Sequence, residues 1–460
     1  MEPQLLRLSD PAGRRLLATA ATGSGLVFLD GTVANVALPR IGRELRADVA
    51  GLQWVVNGYT LALAALILVG GSLGDRLGRK RMFAWGTAGF AAASVLVALA
   101  PSIELLVAAR ILQGVAAALL TPGSLALLQA SFHPDDRMKA IGAWTGMLGI
   151  ATASGPVLGG WLVGIDWRIA FWINVPVAAI VLWLARTAPE SRDAEAGGRI
   201  DLAGAIVAPI ALGGITLALT DWPSRTATAA AVVGMVAAGA FVMVERRVEH
   251  PMTPPTLFTN RTFTVINLVT LFVYAALAGS MFFLAVFLQI SAGWSPLEAG
   301  AATVPVSVSV LFLASWFGGY ATRNGARPPM VAGCLVLTAG LVLLALAPDR
   351  PNYLLHILPG VLLQGLGLSM LVAPLTGTVL AAAPASRSGV ASGINNAVSR
   401  TAGLLAIAAL PLMVGLTGEQ YRVPHLVADA YRAATWWCAG WVLVGAVLTF
   451  VGLRRPRPRR

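Results

Sequence analysis

The chain has 460 residues, of which 57% are hydrophobic and only 12% are charged, with a mean hydropathy of +0.75. Soluble domains carry about 25% charged residues, so this composition excludes a soluble globular protein, and its hydrophobicity excludes a disordered chain. The net charge of +12 is spread over short segments between apolar runs, which indicates membrane topology and lipid contact and excludes a nucleic-acid partner.

Apolar runs long enough to cross a bilayer follow one another along the whole chain. A membrane helix needs about 20 mainly apolar residues, because the hydrocarbon core is roughly 30 Å thick. These runs are continuous, whereas the strands of a β-barrel would alternate over short segments. The sequence therefore predicts an all-α polytopic membrane protein with 14 transmembrane helices. The predicted spans are 16–38, 52–72, 82–100, 104–129, 139–164, 169–186, 202–220, 227–245, 264–289, 298–320, 330–347, 353–381, 389–416 and 433–453.

The distribution of basic residues predicts the orientation of these helices. An even number of spans puts both termini on one side, and short loops rich in Lys and Arg stay in the cytoplasm. With both termini inside, 23 of the 33 basic residues lie in cytoplasmic segments, eight lie in outer loops, and Arg110 and Arg400 lie within spans. We therefore expect a multi-pass protein of the cell membrane with both termini cytoplasmic.

Two longer connectors, 186–200 and 245–261, divide the predicted helices into groups of six, two and six. The predicted domains are an N-terminal six-helix bundle over 1–190, an inserted pair (helices 7 and 8) over 191–255, and a C-terminal six-helix bundle over 256–460. Transporters are often built from repeated bundles, with the binding site at the interface between them.

An internal repeat supports this division. The connector between the second and third helices of each bundle carries the same pattern of glycines and basic residues, at a constant offset of 247 positions. The matched pairs are Gly71 and Gly318, Arg76 and Arg323, Gly78 and Gly325, and Lys80 and Arg327. The second copy has Thr322 where the first has Asp75.

The first of these connectors resembles the signature loop of the major facilitator superfamily, GxxxDRxGRK. Its defining positions are matched by Gly71, Asp75, Arg76, Gly78, Arg79 and Lys80. The resemblance implies the major facilitator fold, two six-helix bundles, here with the inserted helix pair. We call this segment the latch loop, because in such a fold it holds the bundles together on the cytoplasmic side. We expect Asp75 to meet the start of helix 13 near Ser388 and Gly389.

Four other segments are similar to a narrower group, the fourteen-helix drug:proton antiporters that include multidrug and quaternary-ammonium exporters. These segments are Leu29–Pro39, Leu52–Tyr59, Ala109–Gly114 and Trp167–Pro176. Helix 5 also carries what resembles the antiporter motif of this group, with Ala151 where the family usually has Gly. The motif residues are Gly155, Pro156, Gly159 and Gly160. The resemblance implies that this helix limits leakage and favours exchange, and its small residues also predict a kinked, closely packed helix.

Asp30 is the only carboxylate well inside a predicted span. A charge at membrane depth costs about 2.5–3.5 kcal/mol on insertion scales, so such a residue is expected to face protein or water and to serve a function. Burial favours its protonated form, which suits a group that loads and releases a proton. Arg110 lies at a similar depth on helix 4. We predict that Asp30 couples transport to protons and that Arg110 tunes its protonation, with a purely structural ion pair as the alternative.

Two further groups of polar residues lie within the spans. Helix 13 carries a polar cluster of Asn395, Asn396 and Arg400, whose role the sequence leaves open. By analogy with the family, a substrate cavity is lined by helices 1, 4, 9 and 12. Its candidate polar and aromatic residues are Asn35, Gln113, Tyr274 and Gln364. The ring of Tyr274 could hold a cation.

The sequence contains no nucleotide-binding GxxxxGK[ST] loop, no histidine spacing typical of metal sites and no convincing nucleophile motif. We therefore expect no enzyme activity, no cofactor and no metal, with the proton gradient as the energy source. The resemblance implies a monomeric proton-coupled antiporter that exports amphipathic or cationic drugs by alternating access. Its partners would be the small-molecule substrate, protons and membrane lipids. A dedicated exporter of one natural product or lipid, and a non-transporting sensor or scaffold, stay open as alternatives.

Overall fold

The computed structural model of the protein describes residues 5–192, 201–248, 251–384 and 387–453. Because a bilayer offers no hydrogen-bond partners, continuous apolar runs satisfy their backbone groups internally as helices. The described residues form fourteen such helices. In chain order, α1 to α14 are Pro11–Glu44, Val49–Leu77, Arg79–Leu99, Ile103–Ser131, Pro134–Ile165, Ile169–Ala185, Leu202–Thr220, Arg225–Arg247, Arg261–Ser291, Pro296–Asn324, Arg327–Ala345, Tyr353–Ala381, Ser388–Met413 and Pro424–Gly452.

Thirteen of these described helices are long and apolar enough to cross a membrane, and α6 is a shorter apolar helix. The α6 helix is interrupted at Ile173, between Ile169–Trp172 and Asn174–Ala185. Pro176 lacks the N–H that would bond to the carbonyl of Trp172, which accounts for the interruption. The predicted all-α membrane fold is confirmed, and its helix count agrees with the fourteen predicted spans.

The latch loop and its repeat partner have related backbone geometry. Helix α2 ends at Gly78, whose φ is 115°, and helix α10 ends at Gly325, whose φ is 86°. Side chains with a Cβ disfavour this region, so glycine is needed at both positions. The repeat in the sequence therefore corresponds to a repeated turn in the structure.

The helices pack in two groups of six, with α7 and α8 between them in the chain. In the first group α4 packs against α2 and α3, and α1 packs against α5. In the second group α12 packs against α10 and α11, and α14 packs against α9 and α11. The inserted helices α7 and α8 pack on each other, and α7 also lies against α2 and α13. The exact domain limits stay a prediction.

The two groups meet closely on one side of the molecule. We call the side of the α1 start and the α14 end the terminal side, and the opposite side the far side. In the far half, the Gln53 side chain of α2 donates hydrogen bonds to the carbonyl oxygens of Ile407 (2.7 Å) and Ala408 (3.0 Å) of α13. Gln289 of α9 donates to the carbonyl oxygen of Val36 at 3.0 Å. One buried apolar cluster runs through both groups there, so the far side is closed.

Helices α5 and α10 are in close contact on the far side, and this contact ends toward the terminal side. In their far parts, a Cβ on Gly300 would clash with the carbonyl oxygen of Pro156, and one on Gly160 would lie 2.6 Å from the carbonyl oxygen of Pro296. In their terminal parts, a Cβ on Gly142, Gly146 or Gly319 would meet no atom within 4 Å. The space between α5 and α10 therefore widens toward the terminal side, whereas α13 stays close to α2 there, with a Cβ on Gly393 2.9 Å from Cδ2 of Leu68.

A pair of glycine substitutions in α10 tests this arrangement. We expect Gly300→Ala to lower the free energy of unfolding by about 1–3 kcal/mol, because the added methyl group overpacks the contact with Pro156. Gly319→Ala is the matched control and should stay within about 1 kcal/mol of wild type, because its methyl group meets open space. Unfolding of the purified protein in detergent measures both, and equal effects would contradict the tight far-side contact.

Candidate functional site

Asp30 lies deep within the first group of helices. It is near the middle of α1, roughly 20 Å from the far end of that helix. Only 1% of its surface is exposed, and the same is true of Arg110 on α4. The Nη1 atom of Arg110 lies 2.5 Å from Oδ2 of Asp30, so the two residues form a buried ion pair. The depths inferred from the sequence therefore agree with the observed contact.

The second carboxylate oxygen of Asp30 is also occupied. Its Oδ1 atom accepts hydrogen bonds from Nε2 of Gln113 at 2.9 Å and from Nδ2 of Asn174 at 3.0 Å. Three donors therefore converge on this carboxyl group, which is the arrangement that suits its ionised, acceptor-only form. A buried charge is tolerated where it is paired and hydrogen-bonded in this way.

A second layer of contacts fixes these donors in place. Ser94 of α3 accepts hydrogen bonds from Gln113 at 2.9 Å and from Asn174 at 3.2 Å. Arg110 donates its Nε–H to the carbonyl oxygen of Val55 at 3.0 Å, and its Cζ lies 4.4 Å from the ring centre of Tyr59. Five helices, α1, α2, α3, α4 and α6, thus contribute to one network, which we call the Asp30 network.

Local helix geometry explains why these side chains meet. Arg110 and Gln113 are three residues apart on α4, so both lie on the same face, and Nη1 of Arg110 also bonds to Oε1 of Gln113 at 2.6 Å. Asn174 is the first residue after the interruption of α6. The interruption therefore places a polar side chain at the depth of Asp30.

The four predicted cavity residues lie in two kinds of surroundings. Gln113 is fully buried in the Asp30 network, and Gln364 is fully buried against Ser280, whose Oγ accepts from its Nε2 at 3.3 Å. Asn35 and Tyr274 are half-buried. The Asn35 side chain donates to the carbonyl oxygen of Gly31 at 3.2 Å, and its own oxygen has no partner among the described residues. A substrate-binding role for these four residues stays a prediction.

The antiporter motif occupies two adjacent faces of α5. A Cβ on Gly155 would clash with Thr32 of α1, and one on Gly159 would lie 2.8 Å from Cγ2 of Val33, also on α1. Pro156 and Gly160 lie on the next face and contact the start of α10, as described above. The spacing of the motif therefore lets one helix approach both a neighbour in its own group and the opposite group.

The latch loop is bonded to its own group of helices. Asp75 pairs with Nη2 of Arg79 at 2.8 Å. Lys80 donates its backbone N–H to Glu190 at 3.0 Å and its ammonium group to the carbonyl oxygen of Arg186 at 2.9 Å. These contacts attach the loop to the segment that follows α6.

The rest of the latch loop lies in and after the last turns of α2. Gly71 and Arg76 belong to that helix, and Gly78 ends it. The contact that we predict between Asp75 and the start of helix 13 involves Ser388 and Gly389, whose side chains lie outside the described part. That contact stays a prediction.

The polar cluster of helix 13 is divided between two faces of α13. Asn395 donates to Oδ1 of Asn267 at 3.1 Å and to Oγ1 of Thr270 at 2.8 Å, both on α9. Asn396 is half-buried. Arg400 points to the other group of helices, where its Cζ lies 5.5 Å from the ring centre of Phe28.

Sequence reasoning missed three members of the Asp30 network. Tyr59 and Asn174 lie inside segments that resemble the drug:proton antiporters. Their positions in those motifs could have identified them as candidate site residues. Ser94 lies in α3 without any motif around it. Its role depends on how α3 and α6 pack, and local sequence does not reveal that packing.

The described residues contain no group of three or more His, Cys, Asp or Glu that could hold a metal ion. Cys334 and Cys438 are buried free thiols. That the protein uses no cofactor stays a prediction.

Comparison with known proteins agrees with this geometry. Residues 20–408 match the Major Facilitator Superfamily. The chain belongs to this superfamily. The major facilitator resemblance of the latch loop is thus confirmed, and the α1–α6 and α9–α14 groups are its two bundles.

Similar proteins include drug-resistance and export proteins of bacteria. Multidrug resistance protein Stp of Mycobacterium tuberculosis is 35% identical over 421 residues, which cover 90% of this chain and 78% of that protein. The tetracenomycin C resistance and export protein of Streptomyces glaucescens is 33% identical over 416 residues, which cover 88% and 77%. A solved bacterial homolog of the human lysosomal transporter Spinster shares the fold, with a TM-score of 0.71 at 18% identity, covering 98% of this chain and 100% of that chain.

A double-mutant cycle tests the energetic coupling of the buried pair. We expect Asp30→Asn and Arg110→Gln each to lower the free energy of unfolding by about 3–5 kcal/mol, because each leaves the partner charge buried and unpaired. The double variant should lose much less than the sum of the two, since it buries neither charge. Unfolding in detergent measures all three variants, and additive losses would show that the two groups do not depend on each other.

Proposed function

We propose that this superfamily member is a proton-coupled antiporter that exports amphipathic organic compounds from the cytoplasm by alternating access. The observation that carries the proposal is the Asp30 network, a carboxylate buried at mid-membrane with one cation and two amide donors. Ionisable residues at membrane depth are costly and are retained mainly where they serve a function, such as a proton or substrate pathway. The names of the relatives, which refer to multidrug resistance and to export of an antibiotic, support the direction and the class of cargo.

Protonation of Asp30 gives the network two distinct states. A proton on either oxygen cancels the charge that holds Arg110, whose other contacts are to Gln113, the Val55 carbonyl and the rings of Tyr59 and Phe171. Since α2 carries Val55 and Tyr59 and also packs against α13, a change at Arg110 reaches the interface between the bundles. Protonation can drive transport only if it favours one bundle arrangement over the other, and this connection provides a route for that preference.

The terminal side is assigned to the cytoplasm in this proposal. Most of the basic residues belong to segments on that side, as short cytoplasmic loops require. The bundles are closed on the far side and separate between α5 and α10 on the terminal side, so the structure corresponds to a state that would receive substrate from the cytoplasm. The latch loop, bonded to its own bundle by Asp75–Arg79 and by Lys80, would be disengaged in this state.

The orientation is tested by fusing a reporter to the C-terminus. We expect a fluorescent protein that matures only in the cytoplasm to be active there, because that end follows a strongly basic segment. A fusion in the connector between α13 and α14 is the control and should be inactive. The opposite pattern would reverse the assignment and make the closed side cytoplasmic.

Transport itself is tested with purified protein in liposomes that have an acidic interior. We expect the wild type to accumulate an amphipathic dye in exchange for protons, and Asp30→Asn to lose this gradient-driven uptake. The reason is that asparagine cannot load or release the proton. Glu104→Gln, an exposed carboxylate on α4, is the matched control and should pump like the wild type.

Dye binding by Asp30→Asn separates coupling from folding. A variant that binds dye but does not accumulate it assigns the coupling to Asp30. Equal accumulation by wild type and Asp30→Asn would place the coupling elsewhere. If no member of a broad dye panel moves, a dedicated exporter of one compound becomes the better interpretation.

A further inference from the structure

The two faces of α1 at mid-membrane have different surroundings. Asp30 lies on the face that is buried within its own bundle. Residues two positions apart on a helix point about 200° apart, so Phe28 lies on the opposite face. Gly31 and Asn35 follow at helical spacing on the Phe28 side, and a Cβ on Gly31 would meet no atom within 4 Å. This face of α1 therefore borders the open space between the bundles.

Arg400 of the other bundle borders the same space. It lies near the midpoint of the 26-residue helix α13 and contacts the ring of Phe28. On α2, which packs against α13, the hydroxyl of Tyr59 is buried without a partner among the described residues. Arg400 thus borders the space between the bundles beside the Phe28 ring, near mid-membrane depth.

No carboxylate balances this arginine within the part of the chain that the structure describes. The C-terminal bundle contains four acidic residues, all on the far side. They are Glu298, bonded to Ser295, Asp349 and Asp429, both paired with Arg432, and Glu419, paired with Arg422. In the N-terminal bundle, Asp30 is already occupied by Arg110, Gln113 and Asn174.

The charge of Arg400, without a carboxylate partner among the described residues, indicates a binding site for an anionic ligand. Ionisable residues at membrane depth are costly, and they usually mark substrate or ion pathways. A guanidinium group is suited to recognising a carboxylate or similar oxyanion through two parallel hydrogen bonds. The Phe28 ring beside it offers contact area to an apolar or aromatic body.

We propose that Arg400 anchors the substrate and that the preferred substrates are amphipathic organic anions, with a carboxylate, sulfonate or phenolate on an aromatic body. This inference rests on the proposed export function and names its substrate class. It departs from the cationic class that the family resemblance favours. In the conformation seen here a cation would meet Arg400 as the charge nearest to it, since Asp30 is sealed inside the N-terminal bundle.

Substrate and proton occupy separate sites under this proposal. The substrate meets Arg400 in the open space, whereas the proton binds Asp30 on the other face of α1. The two sites are connected through α2, because the Tyr59 ring of α2 contacts Arg110 and α2 packs against α13, which carries Arg400. The exchange of substrate for protons then depends on the arrangement of the bundles. The substrate and the proton do not compete directly for one carboxylate.

Two dyes on the same xanthene ring system test the proposal by binding alone. The probes are sulforhodamine, which its sulfonates make anionic at all relevant pH values, and a rhodamine ester, which is cationic. We expect the wild type in detergent to bind sulforhodamine more tightly, as measured by fluorescence anisotropy. Arg400→Gln should weaken sulforhodamine binding by about 10-fold or more, the usual scale for a charged hydrogen bond, and leave the rhodamine ester within about twofold.

Two further variants separate anion binding from folding. Arg400→Lys keeps the charge without the fork geometry and should recover part of the sulforhodamine affinity. Arg387→Gln removes a charge at the exposed start of the same helix and should bind both dyes like the wild type. Tighter binding of the rhodamine ester by the wild type, equal weakening of both dyes by Arg400→Gln, or no binding of either dye would each overturn the proposal.

Uptake of the same dyes distinguishes this inference from the proposed function. If proton-driven export fails but Arg400 anchors anions, sulforhodamine binds in an Arg400-dependent way and no gradient drives its uptake. If export holds but the substrate class is wrong, inside-acid liposomes accumulate the rhodamine ester. That uptake then requires Asp30 and is unaffected by Arg400→Gln.

Discussion

A carboxylate at mid-membrane depth imposes a constraint that the surrounding helices must satisfy. Asp30 does so by taking donors from α4 and α6, and those donors in turn rest on Ser94 of α3 and on the α2 backbone. Each of these partners would be left buried and unpaired if its helix shifted alone, at a cost of several kcal/mol. The N-terminal bundle is therefore held together from within at the depth where transport needs it to move as one body.

Contacts between the bundles are of a different kind. Where α5 meets α10, glycine and proline let the backbones approach, and the contact contains no ion pair among the described residues. The hydrogen bonds of Gln53 and Gln289 reach backbone carbonyl oxygens of the other bundle. Such contacts are close but individually modest. A strong network inside one bundle combined with weaker contacts between bundles is the distribution that rigid-body rocking requires.

Much of the fold could be predicted from the sequence, because continuous apolar runs in a bilayer have little choice but to form helices. The approach of Asp30 and Arg110 was also predictable, since helix rise fixes depth. The neighbours that each side chain meets around its helix were harder to predict from the sequence. Gln113 was assigned to the cavity because of the helix that carries it, although its spacing of three from Arg110 already placed both on one face. Ser94 and Asn174 depend on how α3 and α6 pack, and the interruption of α6 that positions Asn174 arises from Pro176.

The inserted helices add an asymmetry to the two-bundle plan. Helix α7 lies against both α2 and α13, so it covers the seam where these helices of opposite bundles meet. On the other flank, α5 and α10 separate toward the terminal side, where a Cβ on Gly142, Gly146 or Gly319 would meet no atom within 4 Å. An amphipathic molecule dissolved in the leaflet on the terminal side would therefore find one flank shielded and the other accessible. Among the described helices, the inserted pair thus restricts lateral access from the lipid to the α5–α10 flank.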